Sequence, residues 1–170
     1  VSAITFTIPG KPFAKQRPRA TARGGFARVY TPSETVSFER QVAVIARDFF
    51  ANPIAGPVRI VVIATFAPAK SWSKKKTAAL LGQYHTQKPD GDNCLKAVKD
   101  SLNRIAWSDD SQVADARVVK VWGPTEVTSV TVEGICDQSD SATEKTTEAA
   151  GARTPTAPNR NPIYGGSSNG

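Results

Sequence analysis

Nine residues, Val58–Phe66 (VRIVVIATF), form the most constraining stretch of this chain. They are dominated by β-branched and aromatic side chains, which suit a pleated, covered surface, and the run reads as a buried strand closed by Pro68. A strand of this kind has to be covered by other elements, and the rest of the chain supplies candidates. Ala3–Ile8 (AITFTI) alternates as a strand and stops at the Pro9-Gly10 turn signal. The stretch KPFAKQRPRATARGGFARVYTP is polar and punctuated by prolines and by Gly24-Gly25, so it reads as a long loop in which Phe26–Tyr30 pairs only briefly as a strand. A helix is expected from Ser33 to Phe50, capped by Ser33, with Glu34 in the first turn and Val36, Val42, Ile45 and Phe49 on its apolar stripe. Asn52-Pro53 ends it.

Residues 70–88 carry a basic run and a short helical stretch around Ala78–Leu81, and a second main helix is expected over about Asp92–Asn103. Val113–Trp122 and Val127–Ile135 read as two strands joined around Gly123-Pro124, in the manner of a terminal hairpin. The order β-α-β-α-β-β, without a continuous βαβ series, predicts an α+β fold: a single mixed-sheet domain with two main helices. Beyond Ile135 the pattern stops. Residues 137–170 are mostly Ser, Thr, Ala, Gly, Pro and Asn. Such a segment cannot bury enough surface to offset roughly 1–2 kcal/mol of backbone entropy per ordered residue. The expected division is a domain over 1–136 and a disordered tail over 137–170.

Charge follows that division. The chain carries +7 overall, and residues 137–170 hold four acids and three bases, so the first 136 residues carry +8. A compact basic body suggests a polyanionic partner, though charge alone fits RNA, DNA or good solubility. No stretch approaches the roughly 18 apolar residues of a membrane span, and Val1–Ile8 alternates where a secretory signal would be a long apolar run. A cytoplasmic protein without a membrane partner is expected. Cys94, Cys136 and His85 make no metal-ligand spacing and no disulfide framework. Both cysteines are expected reduced. A Cys94–His85 nucleophile pair has only the proximity of Cys94 to a helix start in its favour.

Five aspartates fall within Lys88–Val113 (KPDGDNCLKAVKDSLNRIAWSDDSQV), in a body that is otherwise basic. Pro89 suits the approach to a helix, and Asp92 or Asp90 can cap it. Projected at about 100° per residue, Leu95, Val98, Leu102 and Ile105 fall on one side, and Asp92, Lys96, Lys99, Asp100 and Asn103 on the other. Lys96 and Asp100 alone read as a solvated face whose ion pairs contribute about 0.2–0.5 kcal/mol each. Asp90 and Asp92 together with Asp109-Asp110 ask for more. Two carboxylates ~5 Å apart repel by about 3 kcal/mol at an effective dielectric near 20. A hard divalent cation such as Mg²⁺ resolves that repulsion with carboxylate oxygens and retained waters. Spacing leaves open whether Asp110 reaches Asp90 and Asp92.

Lys88-Pro89-Asp90-x-Asp92-Asn93-x-x-Lys96-x-x-x-Asp100, followed by Trp107-x-Asp109-Asp110-x-Gln112-Val113, resembles the signature of RusA-type Holliday junction resolvases. Gly10-Lys11-Pro12, Lys15-Gln16-Arg17-Pro18-Arg19 and Tyr30-Thr31-Pro32 are similar to phage and prophage members of that family. The resemblance covers about residues 3–135. It implies a homodimeric endonuclease that uses Mg²⁺, for which Mn²⁺ can substitute, to nick two opposed strands of a four-way DNA junction in recombination and repair. It further implies that Asp90, Asp92 and Asp110 are metal ligands, that Lys96 is the catalytic lysine, and that Asp100 is a supporting residue. Cys94 stands where an aliphatic residue is usual.

Residues 1–33 hold six bases and no acid, with Phe13, Phe26 and Tyr30 interleaved. Guanidinium groups bind phosphate oxygens bidentately, so Lys11, Lys15, Arg17, Arg19 and Arg23 are expected on DNA, with Lys70 and Lys74, Lys75 and Lys76 as a second strip and Lys88 as a further contact. The bland alternative is a solvated loop. Two further functions compete with the resolvase. A non-catalytic branched-DNA-binding module would use the same basic surface, and the intact acidic residues and Lys96 argue against it. A restriction-like nuclease would call for an Asp/Glu-x-Lys pair after a strand, and no clear one is present.

Overall fold

A computed structural model describes the backbone of residues 2–23 and 26–135, with side chains for 2–20 and 29–135. Gly24-Gly25, Cys136 and the expected tail lie outside the described residues. The architecture is α+β. Strands β1 (Ile4–Pro9), β4 (Val58–Phe66), β5 (Val113–Trp122) and β6 (Val127–Gly134) form a four-stranded mixed sheet in the order β1-β6-β4-β5. Strands β2 (Arg19–Arg23) and β3 (Phe26–Tyr30) form a separate two-stranded sheet. The helices are α1 (Ser33–Arg47), α2 (Lys74–Leu80) and α3 (Gly91–Leu102).

The nine-residue strand β4 lies inside the sheet, antiparallel to β6 and parallel to β5. It is buried on one face only. Val58, Ile60, Val62, Ala64 and Phe66 are enclosed, whereas Ile63 on the opposite face is 40% exposed. Phe6, Ile8, Val130 and Val132 extend the covered face, and α1 and α3 pack over it through Phe38, Val42, Ala46, Ala97, Val98 and Leu102. Full burial of each such Val, Leu or Phe contributes roughly 1.5–3 kcal/mol, so this layer holds the domain together.

The expected terminal hairpin is not formed. β5 and β6 have the expected bounds to within a residue, but β4 lies between them. Skipping one strand means crossing about 10 Å, which the link over residues 123–126 can span at about 3.3–3.6 Å per residue. Gly123 is what lets it pass. A Cβ at Gly123 would sit 2.3 Å from Thr65 Cγ2, and its amide donates to the Phe66 carbonyl at 2.9 Å. Burial alternation in β6 is the same whichever strand adjoins it, so the sequence pattern does not distinguish the two topologies.

The helices also differ in detail from expectation. α1 stops at Arg47, and Pro32, with no side-chain cap, occupies the position expected of Ser33. Its buried stripe is Thr35, Phe38, Val42 and Ala46. Phe49 lies past the helix end, 47% exposed, with its ring stacked on Phe6. In α3 the buried side is Cys94, Ala97, Val98, Ser101 and Leu102, rotated toward small residues from the expected Leu95–Ile105 line. Ser101 satisfies its hydroxyl on the Ala97 carbonyl at 2.6 Å. The stretch read mainly as a long loop contains the β2–β3 hairpin, with Arg19 opposite Tyr30. Among the described residues, no helix is long and apolar enough to cross a membrane.

Candidate active site

The N-terminus of α3 is fixed from two sides. Lys120, pointing from β5 to the helix side of the sheet, donates Nζ to the carbonyls of Gln87 and Pro89, both at 2.6 Å. Gly91 then lies against β5 so closely that a Cβ there would be 3.2 Å from Val118 Cγ1. From the other side, the loop between β1 and β2 bonds to the first turn of α3, Lys15 N–H to the Asn93 carbonyl at 3.0 Å. Lys120 was not singled out from the sequence. Its signal there is a lysine in step with Val118 and Trp122 on one face of a strand.

This anchoring presents Asp90, at the cap position, and Asp92, in the first turn, to solvent. Among the described residues, neither carboxylate has a side-chain hydrogen bond or an ion pair. Lys96, one turn further along, is also exposed and unpaired. Asp100 does not hold Lys96. It pairs with Lys15, whose Nζ also meets Glu39 at 3.2 Å. Burial works against the Lys15 charge, but hydrogen bonds to Asp100 and Glu39 outweigh it and hold the ammonium above its ordinary pKa. Lys15 therefore ties the basic loop to α1 and α3.

Asp110 stands elsewhere. It begins a single 3-10 turn, Asp110–Gln112, that leads into β5. β5 starts beside the start of β4 and ends beside Phe66, while Gly91 meets β5 at Val118, just past its middle. Asp110 is thus separated from the start of α3 by about half of β5, ~17 Å at ~3.3 Å per residue. Its Oδ1 accepts from the indole of the fully buried Trp107 at 2.9 Å. Asp109 caps the turn through Ser111 N–H at 2.8 Å, and those Ser111 contacts hold its carboxyl below the usual range. Gln112 accepts from Ser108 and Asp109 and donates to the Ile54 and Gly56 carbonyls. Among the described residues, no three His, Cys, Asp or Glu side chains are grouped to hold a metal. The structure sets Asp90 and Asp92 at the start of α3 and, within one chain, does not group Asp110 with them.

The family model "Endodeoxyribonuclease RusA" matches residues 9–133. The chain belongs to the RusA endodeoxyribonuclease family. Its activity is accordingly that of an endonuclease of the Holliday-junction-resolving type. The chain is also 39% identical over 127 residues to the uncharacterised protein YqaN of Bacillus subtilis (strain 168), covering 72% of this chain and 89% of that one.

Within this RusA-family domain the remaining basic candidates divide by environment. Arg17 and Arg19 are exposed just beyond the Lys15 tether. The Arg23 side chain lies outside the described residues. Lys74, Lys75 and Lys76 are exposed on α2, and Lys76 Nζ lies 3.9 Å from the Trp72 ring centroid. Lys11 and Lys88 are exposed and line one groove, Lys88 two residues before Asp90. Gln16 bonds to Glu34 and secures the loop to α1, while Phe13 stacks on Phe38 at 4.8 Å and so packs with the core. The Cys94–His85 nucleophile reading does not survive. Burial pushes the Cys94 thiol up, away from a thiolate, and His85 is stacked on Phe66 at 4.0 Å and tilted against Trp122 at 4.4 Å.

Proposed function

We propose that this RusA-family endonuclease is a Mg²⁺-dependent resolvase that nicks opposed strands of a four-way DNA junction, acting as a cytoplasmic homodimer. The observation that carries the reading is the pair of exposed, uncommitted carboxylates, Asp90 and Asp92, with unpaired Lys96 one turn further on the same helix. Their chemistry fits a hard divalent cation, which takes oxygen ligands, is commonly held by one or two carboxylates and keeps several waters. When bound, Mg²⁺ supplies charge neutralisation at a phosphate and lowers the pKa of a ligated water; Mn²⁺ would serve in its place.

The protein's own groups do the rest. Asp90 and Asp92 would hold the cation. Lys96 donates to a non-bridging phosphate oxygen, where charge develops in the transition state. Lys15, through Asp100 and Glu39, positions the loop so that Arg17 and Arg19 meet the flanking phosphates, with Lys11, Lys88 and the three α2 lysines as a second strip. Two opposed nicks call for two such sites, and one chain offers one exposed acidic pair. A second copy is also the route by which an Asp110 would join an Asp90–Asp92 pair, since its own chain holds it at the start of β5. Residues 1–136 form the catalytic domain in this reading, with 137–170 dispensable to chemistry.

The test is nicking of a four-way junction against a linear duplex of the same sequence, with Mg²⁺ and with EDTA. Paired nicks confined to the junction and to Mg²⁺ are expected. Tight junction binding with no nicking in Mg²⁺ or Mn²⁺ would instead support the branched-DNA-binding module.

A further inference from the structure

The parallel strands β4 and β5 end side by side at Phe66 and Trp122, and a groove of about 760 Å³ opens there. In open sheets the crevice outside the carboxyl ends of parallel strands is a habitual ligand position, and the volume lies within the ~300–1,000 Å³ of small-molecule sites. Three lysines, Lys11, Lys70 and Lys88, line it against one acid, Glu126. Its apolar wall includes Trp72 and Trp122, whose rings meet at 5.4 Å and 56°. His85 lines the same groove, only 5% exposed, and its Nδ1 has no hydrogen-bond partner among the described residues. A buried polar atom left unpaired is costly, so an unpartnered nitrogen in a groove wall points to a ligand that supplies the partner. Gln87 adds an exposed amide.

We propose that this groove takes one unpaired nucleotide of the DNA strand that presents its phosphodiester to Asp90 and Asp92. The inference rests on the nuclease reading above. A cationic rim with an aromatic wall is the chemistry of single-stranded nucleic acid sites, where bases stack and lysines follow the phosphates. The groove is too small for a stacked duplex, and a base inside one cannot reach a protein wall without leaving the stack. Its position sets the strand's path. Gln87 and Lys88 run directly into Pro89 and Asp90, so Lys88 and Asp90 are at most ~7 Å apart along the chain. A strand bound at the acidic pair therefore passes the groove within about one nucleotide. Trp72, backed by buried Trp122, takes the base face, His85 and Gln87 the base edge, and the lysines the adjoining phosphate.

The experiment compares two single strands that differ only in their bases, dT5 and the corresponding abasic pentamer, titrated against the full chain without divalent metal. Wild type is expected to bind dT5 more tightly. Trp72→Ala should lose about tenfold in dT5 affinity, at the lower end of what one stacked base contributes, and nothing for the abasic strand; Trp72→Phe should restore most of the loss. If Trp72→Ala unfolds, the exposed Gln87→Ala carries the same test, with a smaller loss confined to dT5. Equal affinity of wild type for both pentamers, or equal losses on both in the variants, overturns the proposal. Junction nicking is measured in parallel. A chain that nicks junctions but does not distinguish the pentamers keeps the nuclease reading and loses the groove. One with Trp72-dependent base binding and no nicking does the reverse.

Discussion

Before the first turn of α3 and within it, Asp90 and Asp92 project into solvent without a side-chain partner. Beyond its last turn, Asp109 and Asp110 accept from Ser111 and Trp107, and Gln112 uses both ends of its amide on the backbone. The two regions have similar composition and opposite commitments. A carboxylate already bonded to protein donors stabilises the fold. One held exposed by bonds made around it, from Lys120 and from Lys15 N–H, is left available to a cation. Residue type alone therefore does not assign a role; the number of acceptor positions left open does.

The largest effect expected from this contrast is on cleavage. Asp90→Asn or Asp92→Asn should slow junction nicking by about 100-fold or more, as loss of a principal electrostatic group does. Stability should stay within about 0.5 kcal/mol, as for exposed groups without partners, and junction binding should persist. Asp110→Asn should also lose nicking if a second copy delivers that carboxylate. Single-turnover rates and denaturant melts on all three variants decide it; nicking at the normal rate in each would remove the metal assignment.

At the other end the measurable quantity is stability. Gln112→Ala deletes four hydrogen bonds of 2.8–3.1 Å. At about 0.5–1.5 kcal/mol net for each, and with part of the turn exposed, a loss of about 2–3 kcal/mol in urea unfolding is expected. Nicking by the folded fraction should continue. A Gln112→Ala protein that melts like wild type but cannot nick would reverse the division between the two ends.

Part of this division was legible in the sequence. The double aspartate motif located both ends of α3, and the β-branched runs located β4 and β5, because apolar pattern and turn residues are local. Sheet order was not, since Thr128, Val130 and Val132 would alternate in the same way beside β5 or beside β4. The partner of Asp100 was not legible either. On the helix projection Lys96 lies one turn away, while Lys15 reaches Asp100 from 85 positions earlier in the chain. The β2 strand, RATAR, carried no apolar run because it pairs only with β3, outside the main sheet.

That unforeseen pairing yields a smaller effect within a single loop. Lys15 is engaged by Asp100 and Glu39, whereas Arg17 and Arg19 are exposed. Each phosphate neutralised contributes about −0.9 to the slope of log K against log salt on duplex DNA. Replacing Arg17 and Arg19 by alanine should flatten that slope by up to about two units, while Lys96→Ala should leave it nearly unchanged and reduce cleavage at saturation. Lys15→Met should change the slope little but weaken the loop's attachment, seen as faster exchange of the position-15 backbone amide that donates to the Asn93 carbonyl. A Lys15→Met slope change as large as that of an arginine would place its ammonium on DNA.

The smallest expected effect is on pH dependence, and it separates the two ends once more. At the α3 N-terminal end, burial and then the nearby Lys120 charge hold His85 below its ordinary pKa of 6.5. As pH falls through about 6.5, the unfolded chain takes up the histidine proton and the folded chain does not. His85 therefore contributes stability that is complete above the unfolded pKa and declines as pH drops toward the folded one. At the other end, Asp109 is held below 3.8 by Ser111; its contribution persists until pH falls below about 3.8, where the unfolded carboxylate protonates first. Urea melts from pH 8 to pH 5 should thus show a decline to which His85 contributes and Asp109 does not. His85→Phe keeps an aromatic ring against Phe66 and Trp122 and leaves no unpartnered nitrogen, so its stability at pH 8 should lie within about 1.5 kcal/mol of wild type. Between pH 7 and pH 5 that variant should decline less than wild type. The same decline in both proteins would move the acid lability to another group and remove His85 from the comparison.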